Sequence, residues 1–363
     1  MRLALDEQIF AVQAYGGISR DFVEQVRALR RRTDLDVEVQ PLHAPIVNEF
    51  VLQDPDLTNY LEVHRASSPY RALASYWRRS RRQEEVDVIH NTFYLPRGLA
   101  DYPGKKRVAT IHDMIPELFP RLRRRLDFLT RKAAYLRESD HIVCVSASTR
   151  ADLLRIYPDI SVPVSVAHPG VSADFAPSAP PIDGITDPYL LHVGNRGGYK
   201  DGAVLLSAFL RIAPKFPDLT LLLVGGGELT GPERAAIEHA RVDSRRVVQM
   251  SLPDRLVPSA YAHASVTVFP SHYEGFGLPA VEAMACGSPL VLSNTSSLPE
   301  VGGDAAAYFP PGDDRLLAHL LAEILSSAEQ QKDMASQGLV RAQRFTWDAY
   351  ATANMDAYKQ VLD

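Results

Sequence analysis

The sequence predicts an α/β protein built from two doubly wound, Rossmann-like parallel sheets. Three observations carry that reading. Short aliphatic and β-branched runs alternate with helical patterns along the whole chain. The runs are nearly continuous in apolar residues, as strands covered on both faces are. One proline-dense break, "APSAPPIDGITDP" (176–188), separates six runs from six, and 363 residues exceed what one core usually supports.

In chain order the first six runs are 2–6, 35–40, 86–91, 107–113, 141–146 and 164–170. The second six are 189–195, 219–226, 245–251, 265–271, 289–294 and 305–312. With the break read as an interdomain linker, the domains are 1–178 and 179–345. Ligands of such sheets bind beyond the carboxyl ends of the strands, so the expected site is a cleft that the two domains face. A terminal helix follows over 346–363, with Thr346 as N-cap. Trp347, Tyr350, Met355, Tyr358 and Leu362 make a stripe on it that must dock on something.

Composition sets limits. An apolar content of 46% and a net charge of −5 read as a soluble globular chain. No apolar run approaches the ~18 residues that span a bilayer. Asp6 and Glu7 interrupt any signal-peptide core, so the expectation is cytoplasmic. Cys144 and Cys286 sit in apolar surroundings and read as buried free thiols. The basic residues of the first half are clustered. Arg121, Arg123, Arg124, Arg125, Arg131, Lys132 and Arg137 flank an apolar seam of Leu122, Leu126, Leu129, Ala133 and Leu136. Arg78, Arg79, Arg81 and Arg82 form a second run. The pattern predicts a helix with a cationic outer face. That face is either simply solvated or attached peripherally to the anionic inner face of a membrane. No nucleic-acid partner is expected.

The most informative stretch is "SHYEGFGLPAVEAMACG" (271–287). Gly275 and Gly277 permit a tight turn and close backbone approach to a ligand. Pro279 suits a first helical turn, and Gly287 a helix end. Glu274 therefore lies on a loop, and Glu282 one or two turns into a helix whose amino end suits a phosphate. A carboxylate on each side of an anion site matches a sugar nucleotide: hydroxyls, diphosphate, ribose hydroxyls. The plain alternative is a helix-start glutamate beside an exposed loop acid.

Other groups converge on the same chemistry. Gly16 and Gly17 end a strand-loop and open a helix, where backbone can approach a phosphate, although a plain turn pair would look the same. Arg196 and Lys200 follow the run ending at Asn195, and two cations there can neutralise a departing diphosphate. Solvated loop cations are the bland reading. His112, at a strand end, is expected to face the cleft, against a structural role; Asp113 is expected to orient the loop. "VGGGEL", with Gly225, lacks the full dinucleotide fingerprint. "DLD" (34–36) reads as solvated charge.

The stretch resembles the E-x7-E signature of retaining glycosyltransferases of family 4. "YGGISRDF" (15–22), "TIHDMIPELFP" (110–120), "VCVSASTRADLLRIY" (143–157), "LLHVGNRGGYKD" (190–201), "LLLVGGGEL" (221–229) and "NTSSLPEVGGDAAAYFPPGD" (294–313) resemble further family segments in the same order. The resemblance implies the GT-B fold, with the terminal helix crossing back to the first domain. It implies a GDP- or UDP-linked sugar donor, no metal and no other cofactor. It implies Glu282 at the ribose, and Glu274 with the backbone of Gly275, Phe276, Gly277 and Leu278 at the sugar. Lys200 and Arg196 would meet the diphosphate, His112 the sugar, Gly16 and Gly17 the diphosphate and acceptor, and Gly194 and Gly225 the nucleotide side. "HDMIP" resembles mannosyltransferases of bacterial surface polysaccharides, which makes mannose the first donor sugar and a glycan or lipid-linked oligosaccharide the acceptor. A nucleotide-sugar epimerase and a non-catalytic sugar-nucleotide binder are the alternatives.

Overall fold

A computed structural model describes residues 1–78, 85–95, 98–100, 102–119, 126–185 and 188–363. It divides into two units: Met1–Pro169 with Trp347–Asp363, and Gly170–Thr346. The proline-dense stretch expected as a linker thus falls inside the second unit. There the His263 ring donates from Nε2 to the Ala179 carbonyl at 2.9 Å.

All twelve apolar runs contain strands. In the first unit these are β1 (Arg2–Leu5), β2 (Glu38–Val39), β5 (Val88–Asn91), β6 (Lys106–Ile111), β7 (His141–Cys144) and β8 (Val164–Val166). A small parallel pair, β3 (Pro45–Ile46) with β4 (His64–Arg65), was not expected, since two-residue strands leave no run to read. The first sheet is parallel throughout, in the order β2-β1-β5-β6-β7-β8. The second unit holds β9 (Tyr189–Val193), β10 (Thr220–Val224), β11 (Val247–Met250), β12 (Val266–Phe269), β13 (Leu290–Ser293) and β14 (Ala306–Phe309). Its order is β11-β10-β9-β12-β13-β14, again parallel. The order reverses between β9 and β12, and such a switch point is where doubly wound sheets take ligands. Leu190, Leu221, Val266, Val268 and Val291 of this sheet pack against Leu205, Phe209, Leu317 and Leu321 of its helices.

The helix Trp347–Gln360 belongs to the first unit and lies on the helix Gly17–Arg31. Trp347, Tyr350, Met355 and Tyr358 are buried, as the stripe requires. Leu362 is not: the helix stops at Gln360, and Val361 takes the buried place instead. Tyr358 is anchored through its hydroxyl, which accepts from Gln25 Nε2 and lies 2.6 Å from His90 Nδ1. His90 Nε2 continues to Thr110 Oγ1 at 2.8 Å. Burial holds His90 down at about 3, so the ring is neutral in this network.

The expected cationic helix needs correction. Arg79, Arg81, Arg82 and Arg121, Arg123, Arg124 and Arg125 lie outside the described residues. Within them the helix runs Leu126–Glu138, and Lys132 is only 2% exposed. Three residues after Leu129 and four before Leu136, Lys132 shares their face of the helix. Its Nζ lies 2.9 Å from Glu117 Oε1 and donates to the Asp113 carbonyl at 2.9 Å. Arg131 is also turned inward, donating to the Tyr94 carbonyl. Of the described cations, Arg137 does face solvent.

Both cysteines are buried and free, and burial pushes each thiol up to about 12. Asp34 is gripped by Arg32, and Asp36 pairs with the amino terminus at 3.9 Å. Among the described residues no three His, Cys, Asp or Glu side chains gather as a cation site requires. Among them, too, no helix is long and apolar enough to cross a membrane.

Candidate functional site

In the second unit the loops leaving β9 and β12 meet at the switch point. Lys200 ends the turn Gly198–Lys200 after β9, and Glu274 lies in the loop after β12. Lys200 Nζ donates to both carboxylate oxygens of Glu274, at 2.6 and 2.8 Å. Ser271 Oγ donates to Oε1 at 2.7 Å. The pair is partly buried, with side chains 22% and 13% exposed, so solvent screens it less than a surface pair.

Serines of the segment after β13 fix the loop. The Glu274 amide donates to Ser296 Oγ at 2.9 Å, and Ser297 Oγ reaches the carbonyls of Glu274 and Phe276. The two loops are also laced to each other. The His272 amide donates to the Tyr199 carbonyl at 2.7 Å, and His272 Nε2 contacts Asp201 Oδ2 at 2.8 Å. Ser271, His272, Ser296, Ser297 and Asp201 were not singled out from the sequence. Their signal is weak, since hydroxyls and a histidine in loops are common.

Gly277 has φ 103° and caps the helix Leu278–Ala285, whose amino end no side chain caps. A Cβ there would sit in the left-handed region and 3.2 Å from Leu298 Cδ2. The Phe276 ring is buried edge-to-face against Phe345 at 5.6 Å. Glu282 is buried on the second turn and accepts from the Tyr261 hydroxyl at 3.4 Å.

Arg196 does not take the place expected of it. It is 7% exposed, and every guanidinium nitrogen is engaged. Nε donates to Glu233 at 2.9 Å, Nη1 to the Gly225 carbonyl at 2.9 Å, and Nη2 to the carbonyls of Gly227 and Glu228 at 3.0 Å. It ties down the glycine loop after β10 rather than meeting a diphosphate. Gly226 (φ 70°) is required there, because a Cβ would fall 2.7 Å from Arg196 Nη1 and 2.9 Å from the Gly194 carbonyl. Gly194 and Gly225 hand their amides to the Val224 and Met250 carbonyls. Although burial works against it, hydrogen bonding from Arg196 and Thr230 holds the Glu233 carboxyl below its usual range.

In the first unit, Gly16 is extended and precedes the helix Gly17–Arg31. The amino end of that helix is already occupied in part, since Gln13 Oε1 accepts from the Ser19 amide at 2.9 Å. A Cβ on Gly16 would collide with that Gln13 side chain at 2.2 Å. His112 leaves the carboxyl end of β6, and its Nδ1 lies 3.1 Å from Asp21 Oδ2. Phe22 stands edge-on to His112 and to His90. Asp113 orients its loop by accepting from the Ile115 amide at 2.9 Å. Just after β1, Asp6 is buried and raised to about 6 by burial, although Asn91 and Thr92 both donate to it.

Two parallel doubly wound sheets, with a lysine–glutamate pair at the switch point of the second, define a glycosyltransferase of the GT-B class. Residues 15–175 match the family model "Glycosyltransferase Family 4" and residues 181–340 "Glycosyl transferases group 1". The chain belongs to the family 4 glycosyltransferases. It is 28% identical to O-antigen chain mannosyltransferase B of Escherichia coli, over 99% of this chain and 93% of that one. Its fold is similar to sucrose-phosphate synthase from Thermosynechococcus elongatus (TM-score 0.76, 21% identity, 99% and 98% covered). It is also similar to Anabaena HepE in complex with UDP-glucose (TM-score 0.67, 17% identity, 99% of each chain covered).

Proposed function

We propose that this protein transfers a hexose, mannose first, from a GDP- or UDP-linked donor to a polysaccharide or lipid-linked oligosaccharide, with retention and without a metal. The observation that carries this reading is the Lys200–Glu274 pair at the switch point of the second sheet. The Escherichia coli relative supports mannose and a surface glycan; the HepE complex supports a nucleotide-sugar donor.

In this reading Lys200 and the uncapped amino end of Leu278–Ala285 stabilise the charge growing on the departing diphosphate. Glu274, steadied by Ser271, accepts hydrogen bonds from sugar hydroxyls, and the backbone of Gly275 to Leu278 lies along the sugar. Glu282 accepts from the ribose, and His112 contacts the transferred sugar. Attack comes from the face the diphosphate leaves, which retains the anomeric configuration without a carboxylate nucleophile. The protein works in the cytoplasm, peripheral to the inner face of the membrane that carries its acceptor.

The test is transfer from GDP-mannose and UDP-hexoses to a glycan acceptor, with and without chelator. Glu274→Gln and Lys200→Met should each lower kcat on the order of a hundredfold, as loss of an aligned transition-state contact does. Chelator should leave transfer intact. Near-normal turnover by either variant would overturn these roles. Interconversion of nucleotide sugars without nucleotide release would mean an epimerase instead.

A further inference from the structure

We propose that Asp21 is a positioning residue for His112, fixing the tautomer with which the imidazole meets the transferred sugar. The inference deepens the role of His112 in the proposed function and rests on it.

The geometry is local to the first unit. Asp21 lies on the helix Gly17–Arg31, four residues past Gly17, and is 3% exposed. Its Oδ2 faces His112 Nδ1 at 3.1 Å. In its ionised form the Asp21 carboxylate only accepts, and opposite it Nδ1 carries the proton. In the neutral ring Nε2 then presents its lone pair, and Phe22, edge-on at 5.7 Å, resists rotation of the ring. Two buried atoms of this pair remain without a hydrogen-bond partner among the described residues: His112 Nε2 and Asp21 Oδ1. Native proteins rarely leave such atoms unsatisfied, because each carries a desolvation penalty. A sugar hydroxyl donating to Nε2 satisfies the histidine, and its direction is set by the proton that Asp21 holds on Nδ1.

His90 offers a contrast on the neighbouring strand. Both of its ring nitrogens are bonded within the protein, so that histidine is structural. His112 differs by having one nitrogen committed and one unused.

The experiment compares Asp21→Asn, His112→Ala and the double variant for donor KM, kcat of transfer and unfolding midpoint. It also records imidazole nitrogen spectra of histidine-labelled protein. Asn keeps the shape but can donate as well as accept, so it no longer dictates the tautomer. The wild type should show a single Nδ1-protonated tautomer for His112 and Asp21→Asn a mixture. Asp21→Asn should lower kcat on the order of tenfold to a hundredfold, the range for losing a partner that orients a working histidine. Donor KM and the midpoint should move little. In the His112→Ala background the same change should have no further effect. Wild-type kcat in Asp21→Asn overturns the proposal, as does an equal loss in the His112→Ala background. Full transfer by His112→Ala would also overturn it, but by removing the role of His112 itself.

Discussion

Replacing Arg196 by Ala should unfasten the glycine loop of the second unit rather than disable the chemistry directly. The guanidinium makes four contacts of 2.9–3.0 Å, one to Glu233 and three to carbonyls. Removing one partner of a buried ion pair costs about 3–5 kcal/mol. Glu233 keeps a 13% exposed side chain and its Thr230 contacts, and residues 226–228 are exposed enough for water to replace the lost donors. Both facts favour the lower end, about 3 kcal/mol, which is on the order of a hundredfold in local opening. Hydrogen exchange of peptides covering 221–239 reads that directly. Arg196→Lys should recover only part of the loss, since an ammonium cannot span the same four acceptors. The pH dependence has a definite sign. The folded Glu233 carboxyl is depressed, so its contribution is present above its unfolded value of 4.5 and is lost as pH falls through the folded value. The gap between wild type and Arg196→Ala should therefore narrow below about pH 4.5. Unchanged exchange in Arg196→Ala, with transfer nevertheless cut a hundredfold, would refute this account and return the guanidinium to the diphosphate.

Lys132→Met should destabilise the first unit by about 3 kcal/mol, because it removes the cation from the buried Glu117 carboxylate, to which the Tyr157 hydroxyl still donates, and Lys132→Met with Glu117→Gln should regain much of that. Urea unfolding of the single and double variants checks it; equal losses would mean the pair is not coupled. Truncation after Thr346 should expose the surface that Trp347, Tyr350 and Tyr358 cover, seen as dye binding and loss of exchange protection at β5 and β6. A truncated chain as protected as the full one would show that the helix is dispensable.

The strands and the loops that follow them were legible because buried parallel strands leave unbroken apolar runs that glycine, proline and acidic residues punctuate. Lys200 and Glu274 were legible for the same reason: each follows a recognisable run. Arg196 and Lys132 were misread in one way. A cation in a sequence shows its charge but not its partners, and Glu233 lies 37 residues from Arg196. Lys132 could have been placed from its spacing to Leu129 and Leu136, had charge not been taken as proof of exposure. Asp21 was overlooked because β6 brings His112 to it only in the folded unit. The backbone of Phe276 was expected at the sugar, and its ring packs separately beside Phe345.

The first unit draws its final helix from the end of the chain, and this dictates an order of events during synthesis. Tyr358 lies 268 residues beyond His90, its hydrogen-bond partner. The whole of Gly170–Thr346 must leave the ribosome before that helix can arrive. The second unit, contiguous in sequence, can finish folding while the first still waits with an uncovered apolar face. The half that begins the chain is thus the last to be completed, and a nascent chain stalled before Trp347 would present that face to chaperones.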